Sequence, residues 1–169
     1  LGAAVLSAAI GNLKDAIGGV EVPAPDTCGT VVVHKDTLPA GSAQPFELDS
    51  TLGAAASTNG GLEGKSISDT PTGSVTALDV KPGAYTLTEL VPAGWDFTGL
   101  VCVDPDRGTT AAGPVVALDI DEYETVTCTY TNTKDATITV TKNAVPDDVK
   151  DFNFTTSGSG PAGFTGGFV

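Results

Sequence analysis

A stretch of this chain returns late in its own sequence, and the distance between the two copies fixes the scale of the fold. Thr30-Val31-Val32-Val33-His34-Lys35-Asp36-Thr37-Leu38-Pro39 reappears as Thr137-Ile138-Thr139-Val140-Thr141-Lys142-Asn143-Ala144-Val145-Pro146. An aromatic strand start follows each copy, Phe46-Glu47-Leu48 after the first and Phe152-Asn153-Phe154 after the second. Lys35 and Lys142 stand 107 residues apart (142 − 35), a domain-sized period too long for a solenoid. The spacing predicts one complete β module over 28–134 and the opening strands of a second over 136–169, the latter either an incomplete module or a strand-exchange segment.

Regular punctuation supports the same reading. Strands are expected near 29–35, 45–50, 73–79, 84–90, 96–103, 114–120 and 124–132, separated by Gly, Pro, Asn and Asp turns. Lys81-Pro82-Gly83 and Pro92-Ala93-Gly94 bracket Tyr85 to Leu90 as turn signals. Residues 53–64 read as a loose Ala/Ser/Gly loop with room for one short strand. No helical period intervenes, so the fold class is mainly β: an antiparallel, immunoglobulin-like sandwich.

The first nineteen residues differ. Leu6, Ile10, Leu13 and Ile17 follow the spacing of one helix stripe, Ala3, Ala4, Ala8, Ala9 and Ala16 favour helix, and Gly18-Gly19 ends it. Such a helix is about 27 Å long. Lys14 and Asp15 interrupt its apolar run, so on its own it does not span a bilayer; a membrane contact is expected only if the chain extends upstream. Val20 to Thr27, with Pro23 and Pro25, reads as a linker. The stripe needs a cover, either its own domain or the helices of other subunits, and assembly between subunits is the favoured reading. The sequence contains no Met, which suggests processing or a longer parent chain.

Charge narrows the partners. Eight Lys and Arg stand against 21 Asp and Glu, a net charge of −13, and the pI is about 4.1. Nucleic-acid binding needs a basic face to displace counterions, and an anionic membrane surface is equally disfavoured. The acidity suits solubility at high exposure. Three cysteines in a β pattern suggest an oxidising compartment. Cys102 and Cys128 lie in late strands and look like a pair, which leaves Cys28 free, buried or bonded to another subunit. No CxxC or histidine cluster points to a metal, and His34 is expected to face solvent.

Strand alternation carries the chemistry. It places Val31, Val33 and Lys35 on one face, Tyr85, Leu87 and Glu89 together, and Val126, Cys128, Tyr130 and Asn132 together. Lys35, Glu89 and Asn132 therefore face the core, where burying a charge is costly unless charges meet. If they meet, low polarity lowers the lysine pKa and raises the glutamate pKa. A neutral Lys35 amine then attacks the Asn132 side-chain carbonyl, Glu89 polarises that carbonyl and shuttles protons, and ammonia leaves. The product is an intramolecular isopeptide bond. The plainer alternative is a buried Lys35–Glu89 pair with Asn132 as a turn residue.

At these residues the chain resembles a known family. Val31-Val32-Val33-His34-Lys35-Asp36, Gly83-Ala84-Tyr85-Thr86-Leu87-Thr88-Glu89-Leu90 through Trp95, and Cys128-Thr129-Tyr130-Thr131-Asn132-Thr133 resemble the signature stretches of Cna B-type, SpaA-like domains of bacterial surface proteins and pilins. The resemblance covers about 28–134 and restarts at 136. It implies a prealbumin-like sandwich with a Lys35–Asn132 crosslink formed through Glu89. The Cys102/Cys128 pair departs from the Gram-positive pilin pattern and looks like a disulfide-bearing branch. Leu1 to Ile17 is similar to the distal half of the helix in small Tad/Flp-type pilins, without the membrane-proximal half.

Two weaker signals complete the reading. Leu38-Pro39-Ala40-Gly41-Ser42 has the look of a sortase signal but is internal and reads as a turn. Asp104, Asp106 and the run Asp119, Asp121, Glu122 and Glu124 offer oxygen ligands for Ca²⁺, yet match no loop motif and read as a solvated acidic edge. A Ser/His/Asp triad is not supported by the lone His34. The expectation is a non-enzymatic, cofactor-free extracellular subunit that forms a homo-oligomeric filament, with a monomeric adhesin stalk as the alternative. The sequence names no host or surface ligand.

Overall fold

The computed structural model describes residues 27–146. The expected helix with Leu6, Ile10, Leu13 and Ile17, and the Phe152–Phe154 strand start, lie outside the described residues. The chain divides into two units, 1–135 and 136–169.

Nine strands make up the described part of the first unit. They are β1 (Gly29–Leu38), β2 (Phe46–Ser50), β3 (Ser66–Ile67), β4 (Ser74–Val80), β5 (Gly83–Leu90), β6 (Trp95–Val103), β7 (Thr110–Ala112), β8 (Val115–Ile120) and β9 (Thr125–Lys134). One sheet has the order β4-β1-β9-β6, the other β3-β2-β5-β8-β7. All seven expected strands are present, within a few residues at each end. The two-residue β3 and three-residue β7 are additions too short to show an alternation.

Alternation decides which face is buried. In β1, Val31, Val33, Lys35 and Thr37 point inward; in β9, Val126, Cys128, Tyr130 and Asn132 do. From the facing sheet Phe46, Leu48, Leu87, Val116, Leu118 and Ile120 complete the core. Each fully buried Leu, Ile or Phe contributes roughly 1.5–3 kcal/mol relative to exposure.

One pairing departs from the all-antiparallel expectation. β1 runs parallel to β9, with Val31 opposite Val126, Lys35 opposite Tyr130 and Thr37 opposite Asn132. A parallel pair needs a long crossover, and here the whole of β2 to β8 supplies it. First and last strand thus lie side by side, entering and leaving the module at opposite ends.

Turn chemistry fixes the exits. The Asp69 carboxylate accepts hydrogen bonds from Thr37 Oγ1 (2.6 Å), Thr37 N (3.2 Å) and Gly41 N (2.7 Å). It thereby holds the Leu38–Ser42 segment as a turn, with Gly41 in the left-handed region at φ 86°. The Thr37 hydroxyl bond is the main cause holding the Asp69 carboxyl below its usual range, and the Gly41 amide adds to it. A depressed folded pKa stabilises above the unfolded pKa, and that contribution is lost as pH falls through the folded value. Asp69→Ala is expected to cost about 1 kcal/mol at neutral pH. In urea melts repeated at decreasing pH, the gap to the unaltered protein should close in the acid range.

The second unit is described over 136–146. These residues form no strand despite the likeness of 137–146 to β1, and Ile138 and Val140 are exposed.

Candidate functional site

β1, β5 and β9 each deliver one polar side chain to the core. Lys35 is 1% exposed, Glu89 2% and Asn132 0%. Lys35 Nζ donates to Asn132 Oδ1 at 2.9 Å and lies 3.4 Å from Glu89 Oε2. The three residues that alternation placed on the core side meet at one point.

The surroundings orient the amine and keep water away. Lys35 Nζ also donates to the carbonyls of Asp36 (3.0 Å) and Tyr130 (3.4 Å). It stands 4.2 Å from the centroid of the Phe46 ring, a cation–π distance. Phe46 in turn packs edge-on against Trp95, centroids 5.3 Å apart. Tyr130 reaches across to donate its hydroxyl to Pro114 O at 3.2 Å, and burial first, then the Glu89 charge, raises its pKa. Phe46 as the wall over the amine was not anticipated. Its inward parity with Leu48 in Phe46-Glu47-Leu48 was the available signal, but cross-sheet contact is not a local property.

Electrostatics drive the pair toward neutrality. Burial lowers the Lys35 pKa, with the Glu89 charge opposing it. Burial raises the Glu89 pKa, with Lys35 opposing it. Glu89 Oε2 has only the 3.4 Å ion-pair contact with Lys35, and Glu89 Oε1 and Asn132 Nδ2 are buried without a well-formed hydrogen bond. Orphaned buried polar atoms cost about 1–3 kcal/mol each, so the set is poorly satisfied as three separate side chains. The arrangement brings together the groups an acyl transfer uses: an amine whose pKa burial lowers, a side-chain carbonyl beside it, and a carboxyl group whose pKa burial raises.

Cys102 and Cys128 form a disulfide across β6 and β9, their Cα atoms 4.1 Å apart. Cys28 is half-buried ahead of β1, and its carbonyl accepts from Tyr123 N at 3.3 Å. His34 is exposed, as expected for the outer face of β1. Asp104, Asp106 and Glu124 gather with carboxylate oxygens within 4.8 Å of one another. Asp121 adjoins that group, its amide donating to Glu124 Oε1 at 2.7 Å, while Asp119 and Glu122 lie outside it. Asp104 is tied to its own loop through the amides of Asp106, Arg107 and Thr109.

Two packed sheets with a Lys–Glu–Asn set joining first strand, middle strand and last strand define a class of β-sandwich module. The chain belongs to the SpaA-type family of prealbumin-like fold domains, which it matches over residues 31–134. Among solved structures it is similar to GBS52, the minor pilin of the Gram-positive pathogen Streptococcus agalactiae. That similarity has 16% identity and a TM-score of 0.37, covering 69% of this chain and 49% of the other. The chain thus spans about half the length of that pilin. No curated protein shows a significant match.

Proposed function

We propose that this chain is an extracellular structural subunit of a bacterial surface filament, with the 28–134 module stapled internally by a Lys35–Asn132 isopeptide bond. The observation that carries the staple is the buried contact of Lys35 Nζ with Asn132 Oδ1 and Glu89. In the reaction, Lys35 passes a proton to Glu89 and its amine attacks Asn132 Cγ. The C–N bond forms, Glu89 returns its proton to Nδ2 as the Cγ–Nδ2 bond breaks, and the surplus proton on the new amide nitrogen passes to Glu89, so that Nδ2 leaves as ammonia and Glu89 ends protonated. The buried Lys35–Glu89 ion pair is thereby replaced by one neutral amide beside a protonated Glu89.

The family supports a structural rather than catalytic role, and the chemistry is a single self-modification. Assembly is assigned to residues 1–19, through the stripe Leu6, Ile10, Leu13 and Ile17, with residues 20–27 as linker and the β modules outside. The double variant Ile10→Asp/Leu13→Asp is expected to abolish filaments in negative-stain micrographs while circular dichroism shows the module still folded. Fibres of unchanged diameter in that variant would reject the helix as the assembly element.

One observation favours a second reading. The return of the β1 sequence at 137–146 fits a stalk module of a multidomain adhesin. In that case the chain is monomeric in size-exclusion chromatography with or without the two substitutions.

A further inference from the structure

The four-stranded sheet has two edges, and they are treated differently. On β4, residues 56–59 cover the edge. Asn59 Nδ2 donates to Thr76 O at 2.7 Å, Asn59 Oδ1 accepts from Leu78 N at 3.0 Å, and Thr58 N donates to Leu78 O at 3.0 Å. One side chain thus reproduces the bonds of a missing strand. On β6 no such cover exists among the described residues.

The pairing register shows which groups are bare. Cys102 and Cys128 are directly opposed with Cα atoms 4.1 Å apart, the separation of a non-hydrogen-bonded antiparallel pair. The N–H and C=O of Cys102, and of Leu100 two residues before it, therefore point away from β9. Among the described residues no backbone bond outside the ladder reaches either one. Val101 and Val103 beside them are 66% and 65% exposed. Thr98 to Val103 carries no charge, charged residues being a common device against edge pairing.

A strand without a sheet is present in the same chain. Thr137-Ile138-Thr139-Val140-Thr141 repeats the β1 pattern and is uncharged, yet forms no ladder, with Ile138 64% and Val140 46% exposed. We infer that Thr137–Thr141 of one copy adds as a strand to the bare β6 edge of a second copy, running parallel to β6. This deepens the self-associating reading above by naming the edge and the strand that fills it.

Charge selects both the copy and the direction. In a chain of net charge −13, self-contact is least opposed where both partners are uncharged, as these two segments are. A parallel strand brings Lys142 to the end of β6, where Asp104, Asp106 and Glu124 crowd together. The antiparallel direction would bring Asp135 there instead. Reach disfavours a strand from the same chain. Asp135 N is fixed to Gly94 O at 2.9 Å, and two residues span at most about 7 Å. Crossing from the β9 line to beyond β6 requires about 9.6 Å, two strand spacings.

The test uses the full chain carrying Ile10→Asp/Leu13→Asp, so that helix-driven filaments do not enter. Sedimentation equilibrium is expected to show concentration-dependent association, weakened at least tenfold by Thr139→Pro, which cannot extend a ladder. Lys142→Glu should weaken it severalfold, and Asp106→Lys added to Lys142→Glu should restore it. Amide exchange at Leu100 and Cys102 should slow as concentration rises. A monomer at all concentrations, association indifferent to Thr139→Pro, or protection of those amides independent of concentration would each overturn the inference. Filament loss in the helix variant bears on the helix assignment alone.

Discussion

Glu89→Ala is expected to show the full mass of its own sequence, apart from the disulfide hydrogens, because it keeps the ammonia that crosslinking releases from the unaltered protein, and to be far easier to unfold. Two effects add to the instability. The proposed Lys35–Asn132 bond would close a loop between residues 97 apart in sequence. By the chain-entropy argument used for disulfides, such a loop contributes about 4.7 kcal/mol. Removing Glu89 also leaves Lys35 buried without its counter-charge, a change that costs about 3–5 kcal/mol when the site cannot relax. The two overlap, because an uncharged Lys35 escapes part of the second. A fall in melting temperature on the order of 20 °C is expected. Glu89→Gln separates the effects, since it keeps the shape of the site while withdrawing the proton carrier. A Glu89→Gln protein that still loses ammonia would show that Glu89 is not the group that moves the proton.

Pulling the module from its two ends should give the second large effect. β1 and β9 are parallel neighbours, so tension on Gly29 and Lys134 shears them along their length. With the bond in place, load passes from β1 through Lys35 and Asn132 into β9, and residues 36–131 lie off its path. Single-molecule extension of the unaltered module is expected to release almost no chain. Glu89→Ala should release on the order of 200 Å with the disulfide intact, and on the order of 80 Å more once Cys102 and Cys128 are reduced. The disulfide spans a sequence separation of 26 and is worth about 3.5 kcal/mol against unfolding. In the crosslinked protein it carries no tension, so reductant should leave the force-extension curve unchanged. A reductant-dependent extension in the unaltered module would place the load elsewhere.

Much of this was legible in sequence because it is local. Alternation in Val31-Val32-Val33-His34-Lys35 and in Tyr85 through Glu89 fixed which side chains face inward, and period two leaves little freedom once the apolar face is assigned. Lys35, Glu89 and Asn132 emerged together because each interrupts an otherwise apolar inward row. What escaped is non-local. The parallel pairing of β1 with β9 depends on how the chain returns after β2 to β8. The Phe46 ring over Lys35 depends on packing of one sheet on the other. Asn59, which closes the β4 edge, sits in a loop with no pattern of its own. Asp69 gave no signal either, since its three donors at Thr37 and Gly41 come from a turn some thirty residues earlier. β7 and β3 are too short for alternation to register.

The most direct measurement is the intact mass of the purified, unaltered chain, followed by peptide mapping under reducing conditions. The expected mass is lower than the sequence mass by one ammonia, apart from the hydrogens lost in the disulfide. The map should contain a branched peptide joining the segment with Lys35 to the one with Asn132. A full sequence mass, with the Lys35 amine open to acylation in the unfolded protein, would contradict it.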